Sequence, residues 1–373
     1  MVERKKLGDI CIPLRKEIIK QGNLKDNGKY PVINSGVTLY GYYDDYNNEG
    51  NAFTLASRGE YAGYISYLKD SFWAGGLCYP YRSKNEALYL TKFIYGYLKN
   101  RERYIMNTLV MRGGIPALNK ADVDRIQIPI PSLPEQQRIV ETLDTFTASI
   151  DNLKEQIAHR RKQYEHYRDQ LFSFEGKDLE KRKIGELFVF KNGLNKGKAF
   201  FGHGTPIVNY TDVYHNRSLT RDIVKGKVEL TDNEIHRFEV HRGDVFFTRT
   251  SETPEEVGYP SVMLDEINKC TFSGFVLRAS PVTQLLLPEY CKYCFFTYDV
   301  RKNIVRSATY TTRALTNGGV LSKITIPAPS HSEQSRIVSI LDSFEASIAN
   351  LEEQLALRQK QYEYYREKLL TFE

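Results

Sequence analysis

An internal repeat is the feature of this sequence that most restricts its fold. The segment Ile128–Val140, IPIPSLPEQQRIV, returns as Ile326–Val338, IPAPSHSEQSRIV. The similarity continues without a gap to Glu175 in the first copy and Glu373 in the second. About 30 of roughly 48 positions are identical, at an offset of about 198 residues. A duplicated segment of this length indicates two copies of one structural unit within the chain.

The two halves of the chain also begin alike. Arg4–Ile10 (RKKLGDI) resembles Lys181–Leu187 (KRKIGEL), and Pro31–Asn34 (PVIN) resembles Pro206–Asn209 (PIVN). Between these markers and the repeated segments the halves diverge, and the second half is about 20 residues longer. The sequence therefore divides into four segments, which are a first variable module (1–131), a first repeated segment (132–175), a second variable module (176–329) and a second repeated segment (330–373).

Both repeated segments are predicted to be long helices. Ser132-x-x-Glu135 and Ser330-x-x-Glu333 have the capping-box pattern that satisfies free amides at a helix start. Behind them, apolar residues recur at alternating steps of three and four, which defines a heptad seam. In the first copy the seam is Leu143, Phe146, Ile150, Leu153 and Ile157, then Tyr164, Tyr167, Leu171 and Phe174. In the second copy it is Leu341, Phe344, Ile348, Leu351 and Leu355, then Tyr362, Tyr365, Leu369 and Phe372, with Arg160 and Arg358 as the polar exceptions.

A seam this narrow needs a partner, and the chain supplies one in its other copy. One helix leads from the first module to the second, and the other helix starts from the second module. If the modules lie at opposite ends, the helices must run antiparallel. The expected fold is α/β (α+β), with two globular domains joined by two long antiparallel helices in a coiled coil, a dumbbell with approximate two-fold symmetry. The alternative is two separate interaction helices that each pair with another protein.

The variable modules are predicted to be mixed α/β. Strand-like runs occur at Phe53–Ser57, Tyr61–Tyr67 and Asp244–Thr248. Each module then has a predicted helix, over about 86–103 in the first and about 288–303 in the second. An Ile-x-Ile-Pro strand follows and leads into the repeated helix.

Charge is distributed unevenly among these segments. The formal net charge is +6, but the repeated segments together carry about −5 and the modules about +11, split almost evenly between them. Basic modules on acidic connectors are typical of two ends that bind a polyanion. Ordinary solvation by surface lysines is the alternative.

The remaining composition indicates a cytoplasmic protein. The sequence contains no apolar run of about 18 residues, so no membrane span is predicted. The basic start is not followed by an apolar run, so no signal peptide is predicted. The cysteines at 11, 78, 270, 291 and 294 are odd in number and scattered, which favours free thiols in a reducing compartment.

The order of these motifs resembles specificity subunits of type I restriction–modification systems. The likeness rests on a basic variable module, then Ile-x-Ile-Pro-x-Pro-Ser, Glu-Gln-x-Arg-Ile-Val, a Leu-Asp heptad helix and Lys-Gln-Tyr-Glu-x-Tyr-Arg, each present twice. The resemblance covers essentially the whole chain. It implies that each module is a target-recognition domain for one half of a split DNA sequence, and that the helices set the spacing between the two halves.

The same resemblance implies the partners. The helices would dock two methyltransferase (modification) subunits, which would bind S-adenosylmethionine, while this chain binds no cofactor itself. A separate motor–nuclease (restriction) subunit would cleave unmodified DNA. The two modules differ in sequence, so the implied DNA target is asymmetric.

No catalytic constellation is recognisable in the sequence. Phe200–Gly204 (FFGHG) fits a methyltransferase cofactor loop, but no Asn/Asp-Pro-Pro-Tyr/Phe motif accompanies it. Cys291-x-x-Cys294 is a lone pair, for which core packing is favoured over metal binding. We therefore expect a subunit with neither catalytic residues nor a metal site.

DNA contacts are predicted in four polar loops, two in each module. Arginine reads guanine, and hydroxyl or basic side chains hold phosphates. For each arginine, the alternative is a local carbonyl contact or a surface ion pair. For the whole chain, the alternative function is a coiled-coil adaptor whose modules bind protein or RNA. The predicted DNA-binding residues are Ser57, Arg58, Arg82, Arg112, Thr248, Arg249, Arg306 and Arg313.

Overall fold

The protein forms two compact units in a computed structural model that describes residues 2–174 and 181–372. The first unit comprises Met1–Glu155 with Glu352–Glu373, and the second comprises Gln156–Leu351. Each unit therefore contains one variable module, the start of the helix that follows it and the end of the other helix. The division into compact units falls within the long helices, whereas the division predicted from the repeat falls at their ends.

The first module and the helix that follows it contain eleven strands and five helices within the described residues. The strands are β1 (Glu3–Lys6), β2 (Cys11–Pro13), β3 (Tyr30–Ile33), β4 (Gly41–Tyr43), β5 (Ala52–Ala56), β6 (Ile65–Leu68), β7 (Trp73–Ala74), β8 (Cys78–Ser83), β9 (Val110–Met111), β10 (Ala117–Leu118) and β11 (Gln127–Ile130). The helices are α1 (Leu7–Ile10), α2 (Thr91–Asn100), α3 (Glu102–Thr108), α4 (Lys120–Asp124) and the long α5 (Leu133–Ser173).

The second module and its long helix follow the same general order. The strands are β12 (Lys181–Lys183), β13 (Phe188–Asn192), β14 (Phe201–Val208), β15 (Ser218–Leu219), β16 (Lys227–Val228), β17 (Val245–Thr248), β18 (Thr250–Ser251), β19 (Pro260–Met263), β20 (Thr271–Phe272), β21 (Val276–Pro281), β22 (Thr309–Tyr310), β23 (Ala314–Leu315) and β24 (Thr325–Pro327). The helices are α6 (Ile184–Leu187), α7 (Tyr210–His215), α8 (Asp232–Phe238), α9 (Pro288–Cys294), α10 (Tyr298–Ser307), α11 (Gly318–Leu321) and α12 (His331–Leu370).

The two divergent modules share one sheet topology. The antiparallel order β2-β8-β5-β6 in the first matches β13-β21-β17-β19 in the second. The parallel pair β3–β7 matches β14–β20, and the antiparallel pair β1–β11 matches β12–β24. The longer segment between β14 and β17 forms α7, β15, β16 and α8, and β15 extends the second sheet. The sequence similarity at the start of each half therefore reflects a repeated fold.

The predicted strands fall at the centre of each sheet. β5 and β17 are buried along their whole length, which is why their sequences read as continuous apolar runs. The prediction at Tyr61–Tyr67 is wrong in its first half, because Tyr61–Tyr64 forms a turn in which Gly63 has φ +91. A positive φ is readily accessible only to glycine, so the strand begins after it, at Ile65.

The single helix predicted in each module is two helices. In the first module α2 ends at Asn100, and the next residue, Arg101, has φ −100 and ψ 8. This break lets the Glu102 carboxylate accept a hydrogen bond from the amide of Ile65 at 2.7 Å and from Lys99 Nζ at 2.6 Å. In the second module α9 and α10 are separated by Phe295–Thr297, with Phe295 fully buried. Tertiary contacts therefore override a helical pattern that is continuous in the sequence.

A buried glutamine joins the start of each long helix to its module. Gln136 Nε2 donates to the carbonyl oxygens of Leu88 and Pro131, both at 3.0 Å, and its Oε1 accepts from the Leu90 amide at 2.9 Å. Gln334 makes the equivalent three bonds to Leu285, Pro329 and Leu287, each at 2.8 Å. Both glutamines are 0% exposed. The repeated Glu-Gln pair thus has a structural role in each module.

The helix starts differ in part from the predicted capping boxes. The Ser330 hydroxyl accepts from the Glu333 amide at 3.4 Å, whereas at the first helix the Ser132 carbonyl accepts from the Glu135 amide at 3.0 Å. The Glu135 carboxylate forms a two-point ion pair with Arg138. Glu333 and Arg336 repeat this ion pair in the second helix.

Within each unit the start of one long helix pairs with the end of the other, as predicted. In the first unit, Phe146 near the start of α5 stacks on Tyr365 near the end of α12, with ring centroids 5.2 Å apart. In the second unit, Tyr167 near the end of α5 lies against Phe344 near the start of α12, at 5.5 Å. These are equivalent positions of the repeat, so each unit makes the same contact.

Tyr167 and Tyr365 are 45% and 40% exposed, whereas the other seam residues are buried or half-buried. Ile150, Leu153 and Ile157 are 7–9% exposed, and Leu341 is fully buried. Leu143 packs against the core of the first unit, while Ile348 packs against that of the second. Leu351 and Leu355 are half-buried. The seam is therefore the inner face of the helix pair.

The helix ends complete the module cores. Leu369, Leu370 and Phe372 of the second copy pack into the first core, where the rings of Phe372 and Phe93 lie 6.1 Å apart. Phe172 of the first copy packs into the second core, 5.1 Å from the ring of Tyr290. Each core therefore needs one helix that starts from its module and one that ends against it. No helix among the described residues is long and apolar enough to cross a membrane.

Candidate DNA interface

The first module brings its two predicted DNA-contact loops together. Arg58 forms an isolated antiparallel bridge with Ala117 of β10. The Gly59 amide donates to the Pro116 carbonyl at 2.9 Å, and the Leu118 amide donates to the Ser57 carbonyl at 2.9 Å. Residues 57–59 therefore lie beside the β9–β10 hairpin, residues 110–118, which carries Arg112. We call this surface the first hairpin junction.

The first hairpin junction exposes both arginines. Arg58 follows the fully buried β5, and Gly59 has φ +97, which turns the chain outward. Arg112 lies in the exposed hairpin loop, and its Nη2 donates to the Met106 carbonyl at 3.3 Å. The remaining guanidinium donors are available for a ligand, because a guanidinium has five N–H groups.

The second module forms an equivalent surface, the second hairpin junction, from residues 249–252 and 309–315. β18 pairs with β23, which also pairs with β22. The Thr316 amide donates to the Arg249 carbonyl at 3.0 Å. The predicted loops are again neighbours, although the hairpin loop has three residues here and five in the first module.

An ion pair crosses the second hairpin junction. Arg313 Nη2 lies 3.6 Å from Glu252 Oε1, and the two side chains are 61% and 85% exposed. They continue the register of β18 and β23, in which Ser251 pairs with Ala314. The junction thus presents a cation and an anion side by side at its surface.

Arg301 fixes the loop that follows Glu252 through hydrogen bonds to its backbone. Arg301 donates from Nη1 to the Gly258 carbonyl at 2.6 Å, and from Nη2 to the carbonyls of Glu255 and Val257 at 2.9 and 2.8 Å. Its guanidinium also lies over the ring of Tyr259. Burial lowers the pKa of Arg301 to about 10, so it remains charged at neutral pH.

Glu256 fixes the same loop from the other side. Its carboxylate accepts from the Tyr214 hydroxyl at 2.8 Å and from the Ser251 hydroxyl at 3.5 Å. The Tyr214 hydrogen bond is the main cause of the lowered pKa of Glu256, with Thr253 and Ser251 contributing. The same bond raises the pKa of Tyr214 to about 12. Residues 252–258 are therefore pre-ordered.

Two of the predicted contact residues are largely or fully buried. Thr248 is 0% exposed, and its hydroxyl accepts from the Tyr259 amide at 2.9 Å. Ser57 is 8% exposed, at the buried end of the β5 run. The prediction of a DNA contact is corrected for Thr248, whose hydroxyl is used inside the module, and remains a prediction for Ser57.

Of the other three predicted arginines, Arg249 lies in the second hairpin junction but is not exposed, while Arg82 and Arg306 lie outside both junctions. Arg249 is half-buried, and its Nη1 donates to the Gly274 carbonyl at 2.9 Å. Arg306 is exposed in the last turn of α10, on a helix and not in the predicted loop. Arg82 lies 3.6 Å from Glu49, near the end of β8 opposite to Cys78. Since Cys78 is the residue that pairs with Ala56 beside the junction, Arg82 is not brought to the first hairpin junction.

Several exposed residues at the junctions were absent from the predicted set. Ile115 is 71% exposed in the first hairpin loop, and Phe275 is 71% exposed beside the second junction. Tyr310 of β22 is 59% exposed. Selecting only arginine and hydroxyl side chains missed them. Ile115 directly after Gly113-Gly114 was the available signal, because paired glycines mark a turn and turns lie at the surface.

The cysteines and the glycine-rich segment have structural explanations. All five cysteines are free and buried. Cys291 and Cys294 are at most 2% exposed in the second core, as the core-packing interpretation requires. Among the described residues, no group of His, Cys, Asp and Glu side chains has an arrangement that would hold a metal ion. Phe201–Gly204 lies in β14, where the pairing with β16 shifts in register.

Comparisons with known proteins identify the family. A family model described as the type I restriction modification DNA specificity domain matches residues 1–159 and 176–358. A type I restriction enzyme specificity subunit from Escherichia coli is 26% identical over 386 residues, which is 96% of this chain and 90% of that protein. A putative type I restriction enzyme specificity subunit from Haemophilus influenzae is 28% identical over 396 residues, 96% of this chain and 95% of the relative.

A solved structure has the same fold. The crystal structure of a type I restriction–modification S subunit from M. genitalium matches with a TM-score of 0.62 and 17% sequence identity, over 100% of this chain and 96% of that chain. The chain belongs to the type I restriction–modification DNA specificity family. It is a specificity subunit for DNA target recognition and not itself an enzyme, as the repeated motifs predicted.

Proposed function

We propose that the two hairpin junctions read the two halves of a split, asymmetric DNA target. The observation that carries this proposal is that the same exposed junction recurs on the same topology with different side chains. Arg58, Arg112 and Ile115 are exposed in the first junction. Thr311, Thr312 and Arg313 are exposed in the hairpin loop of the second. A shared scaffold with different surface residues supports two different half-sites.

The chemistry of these residues suits the duplex. Arginine pairs with the O6 and N7 acceptors of guanine, and an apolar side chain contacts the thymine methyl group. Threonine, arginine and lysine also bind phosphate oxygens, which position a protein without reading sequence. The modules carry the positive charge of the chain, about +11, and this charge supplies the salt-dependent part of the affinity.

The acidic helices would dock the partners. Asp144 of α5 lies 2.7 Å from Lys92, and the equivalent Asp342 of α12 lies 3.3 Å from Lys292. The same surface therefore occurs once in each unit, which supports two copies of one partner, the methyltransferase subunits. In this proposal S-adenosylmethionine is bound by those subunits, and the motor–nuclease subunit joins through them.

The test is methylation mapping in a host that lacks the system. The chain is expressed with its partner methyltransferase, and modified sites are located by sequencing that detects methylated bases. The expected result is one bipartite motif with two different halves. Arg58→Ala combined with Arg112→Ala should change one half only, and Arg313→Ala should change the other half only. Arg125→Ala is the control, because Arg125 is 74% exposed, pairs with Asp122 and is not part of either hairpin junction.

Two outcomes would contradict the proposal. The first is the absence of any new methylated motif when both subunits are present and folded. The second is that the junction variants alter both halves equally or neither half, which would place the reading surface elsewhere.

A further inference from the structure

Glu252 is an acidic side chain on a surface that the proposed function directs towards DNA. Its side chain is 85% exposed, and the module that carries it is basic, at about +5. Phosphates repel a carboxylate, so an exposed glutamate here weakens non-specific binding. An acidic residue at such a position is favourable only where it meets a hydrogen-bond donor on the DNA. The base edges are where duplex DNA carries such donors.

The position of Glu252 is determined by the fold. β18 and β23 hold Ser251 opposite Ala314, so the next residues along each strand, Glu252 and Arg313, are cross-strand neighbours. Arg301 and Glu256 fix the chain that follows. A recognition group on a pre-ordered backbone loses little conformational entropy on binding, and a misplaced donor or acceptor is not tolerated.

The pair has the hydrogen-bonding pattern that complements one base pair. In the major groove, guanine presents two acceptors, N7 and O6, and the paired cytosine presents one donor, the N4 amino group. Arg313 supplies donors and Glu252 supplies an acceptor, and the two groups lie 3.6 Å apart. An exposed ion pair of this kind contributes little to stability. The two side chains can therefore separate and bind the bases at little cost in free energy.

The surroundings leave room for a base edge. A groove of about 420 Å³ opens beside the pair and is lined by Tyr210, Tyr214 and Phe275, with Glu252 and Arg313 among its walls. The first hairpin junction has no counterpart to this ion pair among its described contacts, since Arg112 donates to the Met106 carbonyl instead. The pair is therefore specific to the second module.

We propose that Glu252 and Arg313 together read one G·C pair in the half-site of the second module, with Arg313 on guanine and Glu252 on the cytosine amino group. This inference rests on the proposed function, in which the second hairpin junction faces the target.

The test uses the assembled complex of this chain with its methyltransferase subunits. Binding to the mapped target duplex is compared with binding to a panel in which each base pair of the second half-site is replaced in turn. The variants are Glu252→Gln and Arg313→Ala. The matched control is Glu255→Gln, an exposed glutamate in the same loop.

The expected result is confined to one position. The wild-type complex should discriminate about tenfold or more in favour of G·C there. Glu252→Gln should reduce this preference and tolerate A·T better at that position, because the glutamine amide can also donate to the O4 acceptor of the thymine that takes the place of cytosine. Arg313→Ala should lose the preference, while Glu255→Gln should keep the wild-type profile. Thermal unfolding of each variant verifies that it is folded.

Three results would overturn the inference and leave the proposed function standing. The first is a second half-site that contains no G·C pair. The second is a folded Glu252→Gln variant whose base preference is unchanged. The third is a Glu252→Gln or Arg313→Ala variant that loses binding equally to every duplex of the panel. A failure of the proposed function itself is different, because then no junction variant in either module would change the profile of its half-site.

Discussion

The guanidinium of Arg160 lies 5.8 Å from the ring centroid of Phe344, on the helix that runs antiparallel to its own. The equivalent residue Arg358 lies 5.7 Å from the ring of Phe146. Both arginines interrupt the apolar heptad pattern, and both are accommodated in the seam through a cation–π contact. The seam therefore contains the same polar contact in each unit.

Replacing Arg160 by alanine should destabilise the second unit modestly. Loss of the cation–π contact and of the packing of the arginine stem should lower the free energy of unfolding by about 0.5–2 kcal/mol. Urea unfolding measures the change, with Lys162→Ala, an exposed change on the same helix, as control. A double-mutant cycle with Phe344→Leu should show coupling, and strict additivity of the two changes would contradict the contact.

Gln136→Ala should be far more damaging than Gln137→Ala. Gln136 is fully buried with three hydrogen bonds to the backbone, and its removal leaves those backbone groups unsatisfied. The expected loss is about 2–4 kcal/mol, measured by chemical unfolding. Gln137 is its exposed neighbour and should cost less than about 0.5 kcal/mol. Equal effects of the two substitutions would show that the buried glutamine does not join the helix to the module.

Arg58→Ala should weaken binding to the target duplex, whereas Arg82→Ala should not. Arg82 lies in β8 and Arg58 lies two residues after β5 of the same sheet, but only Arg58 bridges to the β9–β10 hairpin. Losing a base contact costs about 1–3 kcal/mol, and losing a phosphate contact lowers the salt dependence of binding by about one ion. Fluorescence anisotropy at several salt concentrations separates the two cases. A larger effect of Arg82→Ala would place the interface at the other end of the sheet.

Thr248→Val should reduce stability and leave the DNA target unchanged. The buried Thr248 hydroxyl accepts from the amide of the half-buried Tyr259, and valine removes this acceptor. The free energy of unfolding should fall by about 1–3 kcal/mol. Methylation mapping should return the wild-type motif, and a changed second half-site would restore Thr248 as a contact residue.

The cysteines should be unreactive in the folded protein. Burial raises the pKa of Cys11, Cys78, Cys270 and Cys291 from 9.0 to about 12, and raises that of Cys294 as well. Only the thiolate reacts, so a thiol-specific reagent at about pH 8 should modify none of the five before unfolding and all five in denaturant. The thiols of the unfolded chain lose their protons at a lower pH than those of the folded chain. Keeping the thiols protonated therefore stabilises the folded chain fully below pH 9, and this stabilisation is lost as the pH rises towards 12. Rapid labelling of the folded chain would contradict the burial of these side chains.

Part of the candidate interface was predictable from loop position and residue type. Arg58, Arg112 and Arg313 follow that rule, and the structure exposes all three. Thr248 obeys the same rule but is buried, because the strand it ends is flanked on both sides and its hydroxyl has an internal partner. Glu252 was missed, since its importance comes from Arg313 on a neighbouring strand. Pairings of this kind depend on register between distant segments, which a single sequence does not contain.

The sequence by itself determined the repeated architecture of this protein. The duplication shows that one unit occurs twice, and the heptad pattern within it depends only on residues three or four apart, so together they predict two long helices and their pairing without reference to the rest of the fold. Only the tertiary structure decided which loops form a surface. Cross-strand hydrogen bonds bring Arg58 to Ala117 and Ser251 to Ala314. The buried residues of each hairpin junction support its backbone, and only the exposed ones can contact DNA.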